Sequence, residues 1–316
     1  MNITDKIYSD EDAARKHLEA IRWPDAVVCP FCNIPGKISK AKMVNKPTKK
    51  NPKPKEAKGW YHCGICFQRF TVRTGMIYER SHVPLHKWVL ATHLLCASKK
   101  GMSAHQLHRM VGVTYKTAWF MFHRIREAMN EVSPAPLGGP GIPVQADETY
   151  FGQKKEKITT RTDGRPFIGK GKGGANKMSV VSLISEGKSR TFHVEHATAS
   201  SVRDLLTTHV NPESELHTDE SRLYVRVGRE FGDHKTVKHS RGQYVGKDGQ
   251  HINSCENFFS VFKRGMRGVY QHCSEKHLQR YLTEFDFRYN NRTISDNDRA
   301  LLCLKGAEGK RLLYKH

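Results

Sequence analysis

Two sets of residues in this chain have types and spacings that could do chemistry. The first is a pair of cysteine knuckles, Cys29-Pro-Phe-Cys32 and Cys63-Gly-Ile-Cys66. Each knuckle lets two thiolates approach one ion. Together they complete a tetrahedral shell that suits one structural Zn²⁺ with no open position. One such pair alone would be weak evidence, compatible with a redox motif. Two pairs in a chain without a secretory leader read as metal ligands. Gly64 eases the tight turn, and Tyr61 with Phe67–Val72 supplies the short strands of a zinc ribbon. The thirty residues between the knuckles include KAKMVNKPTKKNPKPKEAK, residues 40–58. This stretch is lysine-rich and proline-broken, which predicts a mobile basic loop. Such an insertion is tolerated because loop closure costs little per added residue. His62 reads as a strand residue, and Cys96, Cys255, Cys273 and Cys303 lack ligand spacing and read as buried thiols.

The second set is acidic. Asp147 lies inside an apolar strand, Val144–Phe151, where a carboxylate is expensive to bury unless it binds something positive. Asp219 ends a short strand, Leu216–Asp219, at the edge where open α/β sheets place their ligands. Glu256 lies on a helix reading HINSCENFFSVFKRGMRG, on one polar stripe with Asn253, Ser260 and Lys263, opposite Phe258, Val261 and Phe262. Two strand-borne aspartates and one helix-borne glutamate could hold two Mg²⁺, or Mn²⁺, about 3.5–4 Å apart for in-line phosphoryl transfer. Each acid also has a plain reading: an edge-strand surface residue, a helix cap and a solvated helix residue. Glu148 and Glu220 could exchange roles with their neighbours, and pleat alternation puts only one of Asp147 and Glu148 on the site face.

The elements that must position these groups follow from periodicity and punctuation. Residues 1–24 form an N-terminal helix, with Asp10 capping Glu11–Ile21 and Pro24 stopping it; residues 25–80 form the ribbon. Residues 81–132 are helical. Pro84 opens a helix with Leu85, Trp88, Val89, Thr92 and Cys96 on one face, followed by helices Ser103–Met110 and Thr114–Met129 around Val111-Gly112-Val113. This layout is a helix-turn-helix. It puts Tyr115, Lys116 and Thr117 toward the major groove, and His123, Arg124 and Arg126 within reach of phosphates. An ordinary helical hairpin has the same pattern, so DNA reading leans on the ribbon and on the charge. Residues 133–141 are a linker by composition.

Residues 142–300 alternate strands and helices. Strands are predicted at Pro143–Phe151, Met178–Ser185, Arg190–Glu195, Leu216–Asp219 and Lys235–His239, and helices at Ser200–His209, Glu220–Arg229, Asn253–Arg267 and Ser274–Asn291. The glycine-rich basic stretch 154–177 reads as a loop or hairpin tip, and residues 301–316 as a C-terminal tail. The 316 residues, with 53 Lys+Arg against 31 Asp+Glu, carry a formal charge of +22, which predicts a polyanionic partner. No apolar run approaches the roughly 20 residues of a membrane helix. The N-terminus lacks a signal-peptide core, so the expected location is cytoplasmic and nucleoid-associated.

The order of parts, and the stretches FTVRTGMIYE, KWVLATHLL, KGMSAHQLHRMVGVTYKTAWFMFHRIREAM, ADETYFGQK, LHTDES and HINSCENFFSVFKRGMRGVYQHCSEKHLQRYLTEFDFRYNNR, resemble the zinc-ribbon DDE transposases of insertion sequences. These are the ISXO-type group related to the Merlin transposons. The resemblance implies an α/β, RNase H-like catalytic core behind the ribbon and the helix-turn-helix. It further implies divalent metal, binding to terminal inverted repeats of double-stranded DNA, a homo-oligomer on that DNA, and cut-and-join chemistry. Asp147, Asp219 and Glu256 take the triad roles, and Lys263 contacts DNA near the joint. Some members carry asparagine as the third residue, for which Asn253 is the nearest candidate. The competing readings are a non-catalytic DNA-binding regulator and an RNase H-like nuclease that only hydrolyses.

Overall fold

The computed structural model describes residues 4–45, 55–154, 158–160, 163–164, 166–168, 176–238, 244–246 and 249–312. The chain forms two compact units. One comprises Met1–Ser98, Met102–Met129 and Ile294–His316; the other comprises Lys99–Gly101 and Asn130–Thr293.

In the first unit, helix α1 (Glu11–Arg22) starts where the Asp10 side chain accepts from Ala13 N at 2.7 Å. Helix α2 (Leu85–Ala97) begins one residue after Pro84, and its open N–H groups point at the α1 acid Glu11, with Leu85 N 2.5 Å and His86 N 3.4 Å from Oε2. A carboxylate is favourable there because it meets both unpaired donors and the positive end of the helix. The ribbon sheet has the order β1 (Ile38–Lys40), β4 (Tyr61–Cys63), β5 (Arg69–Phe70), antiparallel throughout. Strand β1 is an addition to the expected pair.

The basic insertion between the knuckles carries a two-stranded ladder, β2 (Met43–Asn45) with β3 (Lys55–Ala57), at its base; residues 46–54 at its centre lie outside the described residues. Helices α3 (Ala104–Val111) and α4 (Tyr115–Met129) flank a turn in which Gly112 has φ +63°, a left-handed cap that suits glycine. Helix α8 (Asp296–Lys305) spans the end of the expected core and the start of the expected tail; it is capped by Ser295 and packs on α2 and α4 through Ala300, Cys303 and Leu304.

The second unit is a five-stranded mixed sheet in the order β10-β9-β6-β11-β12. Strands β6 (Pro143–Phe151), β9 (Met178–Ser185) and β10 (Lys188–Val194) form an antiparallel meander. Strands β11 (Glu215–Asp219) and β12 (Asp233–Val237) run parallel to β6. A short antiparallel pair, β7 (Ile158–Thr160) with β8 (Pro166–Ile168), lies in the β6–β9 connection. Every residue of β9 is buried, which fits a central strand covered on both faces. Helix α5 (Ala199–His209) covers one face over Val144, Ala146, Val181, Leu183 and Leu216. Helices α6 (Asn253–Gly265) and α7 (Glu275–Asn290) cover the other over Phe151, Val180 and Ile184. This is the expected RNase H-like arrangement.

The helix predicted over Glu220–Arg229 is absent. The chain turns through 222–226 and makes only a 3₁₀ turn at Val227–Glu230. At the strand end, Asp219 Oδ1 accepts from Ser221 N at 3.0 Å, closing a side-chain turn. That turn carries Tyr224 into full burial.

Candidate active site

Strands β11 and β6 are parallel neighbours with Leu216 opposite Val144 and His217 opposite Gln145. Their pairing ends there, and two residues further on each strand stand Asp219 and Asp147. Side chains alternate, so the odd positions of β6 share a face. Gln145 shows which face: its Oε1 accepts from Ser254 N of α6 at 3.0 Å. Asp147 and Asp219 therefore emerge side by side on the α6 side, Asp219 at the carboxyl end of β11 and Asp147 midway along β6, just past the last residue that pairs with β11.

Asp147, Glu148 and Asp219 each offer a carboxylate oxygen, and these lie within 4.8 Å of one another. Burial pushes the Asp147 carboxyl up to about 8, with the charges of Asp219 and Glu148 adding to it and that of Glu256 following. Burial also raises Glu148, opposed by the Tyr224 hydroxyl that hydrogen-bonds it. A hard divalent cation removes this mutual repulsion and finds oxygen ligands already gathered.

Glu148 differs from expectation. Pleat alternation starts it from the α5 face, as predicted. Its carboxylate nevertheless reaches the aspartate pair, because the β6–β11 pairing has ended before it and Tyr224 Oη (2.8 Å) and Ser221 Oγ (3.4 Å) hold it. No spacing signal in the sequence indicates Tyr224; only the turn after β11 brings it there. Glu220 follows the strand end and is exposed.

On α6, Cys255, Phe258, Phe259 and Phe262 are buried, while Asn253, Glu256 and Ser260 are exposed and Lys263 is half-buried. The Cys255 thiol anchors the helix on the sheet, 3.6 Å from the Gln145 carbonyl and 3.8 Å from that of Ser182. The polar stripe is thus the one read from the sequence. Glu256 acts electrostatically on Asp147 but is not one of the three residues in the tight group. Burial lowers the Lys263 ammonium, Arg267 and Lys177 lower it further, and Asp147 opposes them.

In the ribbon, Cys29 Sγ lies 3.5 Å from Cys66 Sγ and Cys32 Sγ 3.8 Å from Cys63 Sγ, with all four sulfurs within 4.8 Å of one another. Four thiolates about 2.3 Å from one zinc stand roughly 3.8 Å apart, so the donor set fits the ion. Backbone N–H groups of Cys66 and then Ile65 help hold the Cys63 thiol down at about 7, while burial and the three neighbouring thiols push the Cys66 thiol up to about 12.

At the start of α4, Tyr115 and Lys116 are exposed and Thr117 half-buried, with Thr117 N donating to Thr114 Oγ1 at 3.2 Å. Tyr115 stacks on His105 of α3 with ring centroids 4.2 Å apart. The expected phosphate contacts of His123, Arg124 and Arg126 are corrected by their burial, at 0, 7 and 2% exposure. Arg124 instead donates to the carbonyls of Ile77 (2.8 Å) and Glu79 (3.1 Å), and Arg126 lies over the Phe122 ring. Helix α4 packs against α2, α3 and α8, so beyond Ala118 its arginines Arg124 and Arg126 are spent inside.

Residues 136–290 match the ISXO2-like transposase domain and residues 9–69 the transposase zinc-ribbon domain. An uncharacterized protein in transposable element ISH50 of Halobacterium salinarum is 28% identical over 296 residues, covering 90% of this chain and 92% of that one. Among solved structures, a pre-cleavage Mos1 transpososome matches at 9% identity and TM-score 0.25, over 66% of this chain and 75% of that one. A Mos1 transposase paired-end complex with left transposon end matches at 10% identity and TM-score 0.28, over 69% and 74%. No helix among the described residues is long and apolar enough to cross a membrane.

Proposed function

The chain belongs to the zinc-ribbon DDE transposase family of the IS1595 type, and from that premise we propose that it binds the terminal inverted repeats of an insertion sequence and catalyses end cleavage and strand transfer. The observation that carries this reading is the pair Asp147 and Asp219, side by side on two parallel strands just past the end of their pairing, with helix α6 on the same face.

Asp147 and Asp219 hold metal from the sheet and Glu256 completes the set from the helix. Two Mg²⁺ or Mn²⁺ held by these residues would supply activation of the attacking oxygen and stabilisation of the leaving 3′ oxygen. The residues of the chain do the positioning. The sheet fixes the two aspartates relative to each other, and α6 carries Glu256 on a rail pinned by Cys255. Burial and then the like charges of Asp219 and Glu148 push the Asp147 carboxyl up to about 8, and a cation held there would favour its carboxylate form. Lys263, two turns along the same stripe, meets a phosphate near the joint.

The exposed start of α4, with Tyr115, Lys116 and Thr117, reads bases in the major groove. The surplus behind the +22 charge supplies phosphate affinity with a steep salt dependence. The ribbon holds one structural Zn²⁺, and the protein assembles as a homo-oligomer on the element ends.

The test is incubation of the purified protein with duplex DNA carrying the inverted repeats that flank its gene, together with a target plasmid and Mn²⁺. Cleaved ends joined to the plasmid are expected. Cleavage without joining makes it a hydrolytic nuclease, and binding without cleavage a regulator.

A further inference from the structure

The third member of the tight carboxylate group is Glu148, a residue that the triad assignment leaves idle. We infer that Glu148 is a metal-holding residue of this site in the DNA-free protein, and that Tyr224 positions it there. This rests on reading the carboxylate group as a metal site.

Glu148 does not arrive beside the aspartates by default. Its strand position directs it to the α5 face, where a free glutamate would turn toward water and away from two like charges. Two donors keep it: Tyr224 Oη at 2.8 Å on one oxygen and Ser221 Oγ at 3.4 Å on the other. Tyr224 is fully buried, so its hydroxyl is fixed rather than swinging. A carboxylate has about four lone-pair sites, so one donor on each oxygen leaves room for a cation on both.

Both donors sit on the turn that follows Asp219, and that turn is itself closed by Asp219 Oδ1 accepting from Ser221 N. One short segment therefore sets two carboxylates at once, which gives a reason for a turn where the sequence pattern suggests a helix. A purely structural staple would not need to bring a third negative charge within 4.8 Å of the other two. A divalent cation gives that placement a favourable sign.

The experiment is calorimetric titration of Mn²⁺ into the full, zinc-loaded chain without DNA. It compares the wild type with D147N, D219N, E148Q, Y224F and the double variant E148Q/Y224F, with folding checked by thermal melts. D147N and D219N are expected to lose binding, and E148Q to weaken it by more than roughly tenfold. Y224F should weaken it by about tenfold, the usual cost of losing a partner that orients a ligand. The double variant should be no weaker than E148Q alone, because Tyr224 acts through Glu148; a packing role would add its own loss.

If E148Q fails to fold, E148D keeps the charge but shortens the reach, and weakened binding is expected there too. Wild-type affinity in a folded E148Q or E148D, with D147N still defective, overturns the inference and leaves the site intact. Unchanged affinity in D147N and D219N as well overturns the metal-site reading beneath it.

Discussion

The thiolate cluster of the ribbon and the carboxylate cluster of the sheet are both four-to-five-ångström gatherings of metal-binding atoms, built on opposite principles. The thiolates come from two local knuckles, and backbone N–H groups already favour charge on one of them. The carboxylates come from a strand pair and a turn, and they repel, so that burial and neighbouring charge hold Asp147 up at about 8. The first is closed and its four donors suffice. The second is open toward α6, with Glu256 on the rim rather than in the tight group. A closed set of thiolates suits a structural ion, and an open, mutually repelling set suits ions that share their ligands with a substrate.

The contrast breaks most visibly by removing a thiolate. Cys63→Ser should release the zinc and unfold residues 25–78 while leaving the mixed sheet protected, because the ribbon has little apolar core of its own. Zinc per chain and hydrogen exchange read the two effects; full zinc occupancy in the variant would sink the assignment.

A second contrast lies along α4. Arg124→Ala should destabilise its unit by about 2–3 kcal/mol, since two carbonyls lose their charged donor. Lys116→Ala, about two turns away on the same helix, should leave melting unchanged. It should weaken specific DNA binding by about tenfold, or roughly 1–2 kcal/mol. Equal melting temperatures for the two variants would return Arg124 to the DNA surface.

A third contrast is one of pH. An acid raised from its ordinary value to about 8 contributes stability that is present below its unfolded pKa and lost as pH rises toward 8. Asp147→Asn should therefore raise the melting temperature of the protein without divalent cations at pH 8 and do little at pH 4. Mn²⁺ should narrow the gap at pH 8 by stabilising the wild type alone. A pH-independent difference between the two proteins would remove the repulsion from the account.

What the sequence made legible follows the same division. The knuckles, the α6 stripe and the strands around Asp147 are local patterns, and Pro143–Phe151 and Met178–Ser185 were readable to the residue. Long-range facts were not. The fate of Arg124 depends on where Ile77 and Glu79 bring their carbonyls, and that of Glu148 on a tyrosine seventy-six positions away. Helix α8 has a cap and an apolar face in plain sequence at Ser295–Leu304, but its place beside α2 comes only from the fold. The segment 220–226 has helix-compatible residues, yet it forms a turn that carries Tyr224 to Glu148, a contact no local pattern shows.

The central claim is that Asp147 and Asp219 on the sheet and Glu256 on α6 serve one reaction centre. Single-turnover cleavage and joining of the flanking inverted repeats in Mn²⁺, run beside gel-shift binding, tests it most directly. Asp147→Ala, Asp219→Ala and Glu256→Ala should each lose more than roughly a thousandfold in both steps, with specific binding nearly intact. Asn253→Ala should still cut. A dead Asn253→Ala with an active Glu256→Ala would move the third ligand by one turn of α6, and cleavage surviving in all three triad variants would contradict the account.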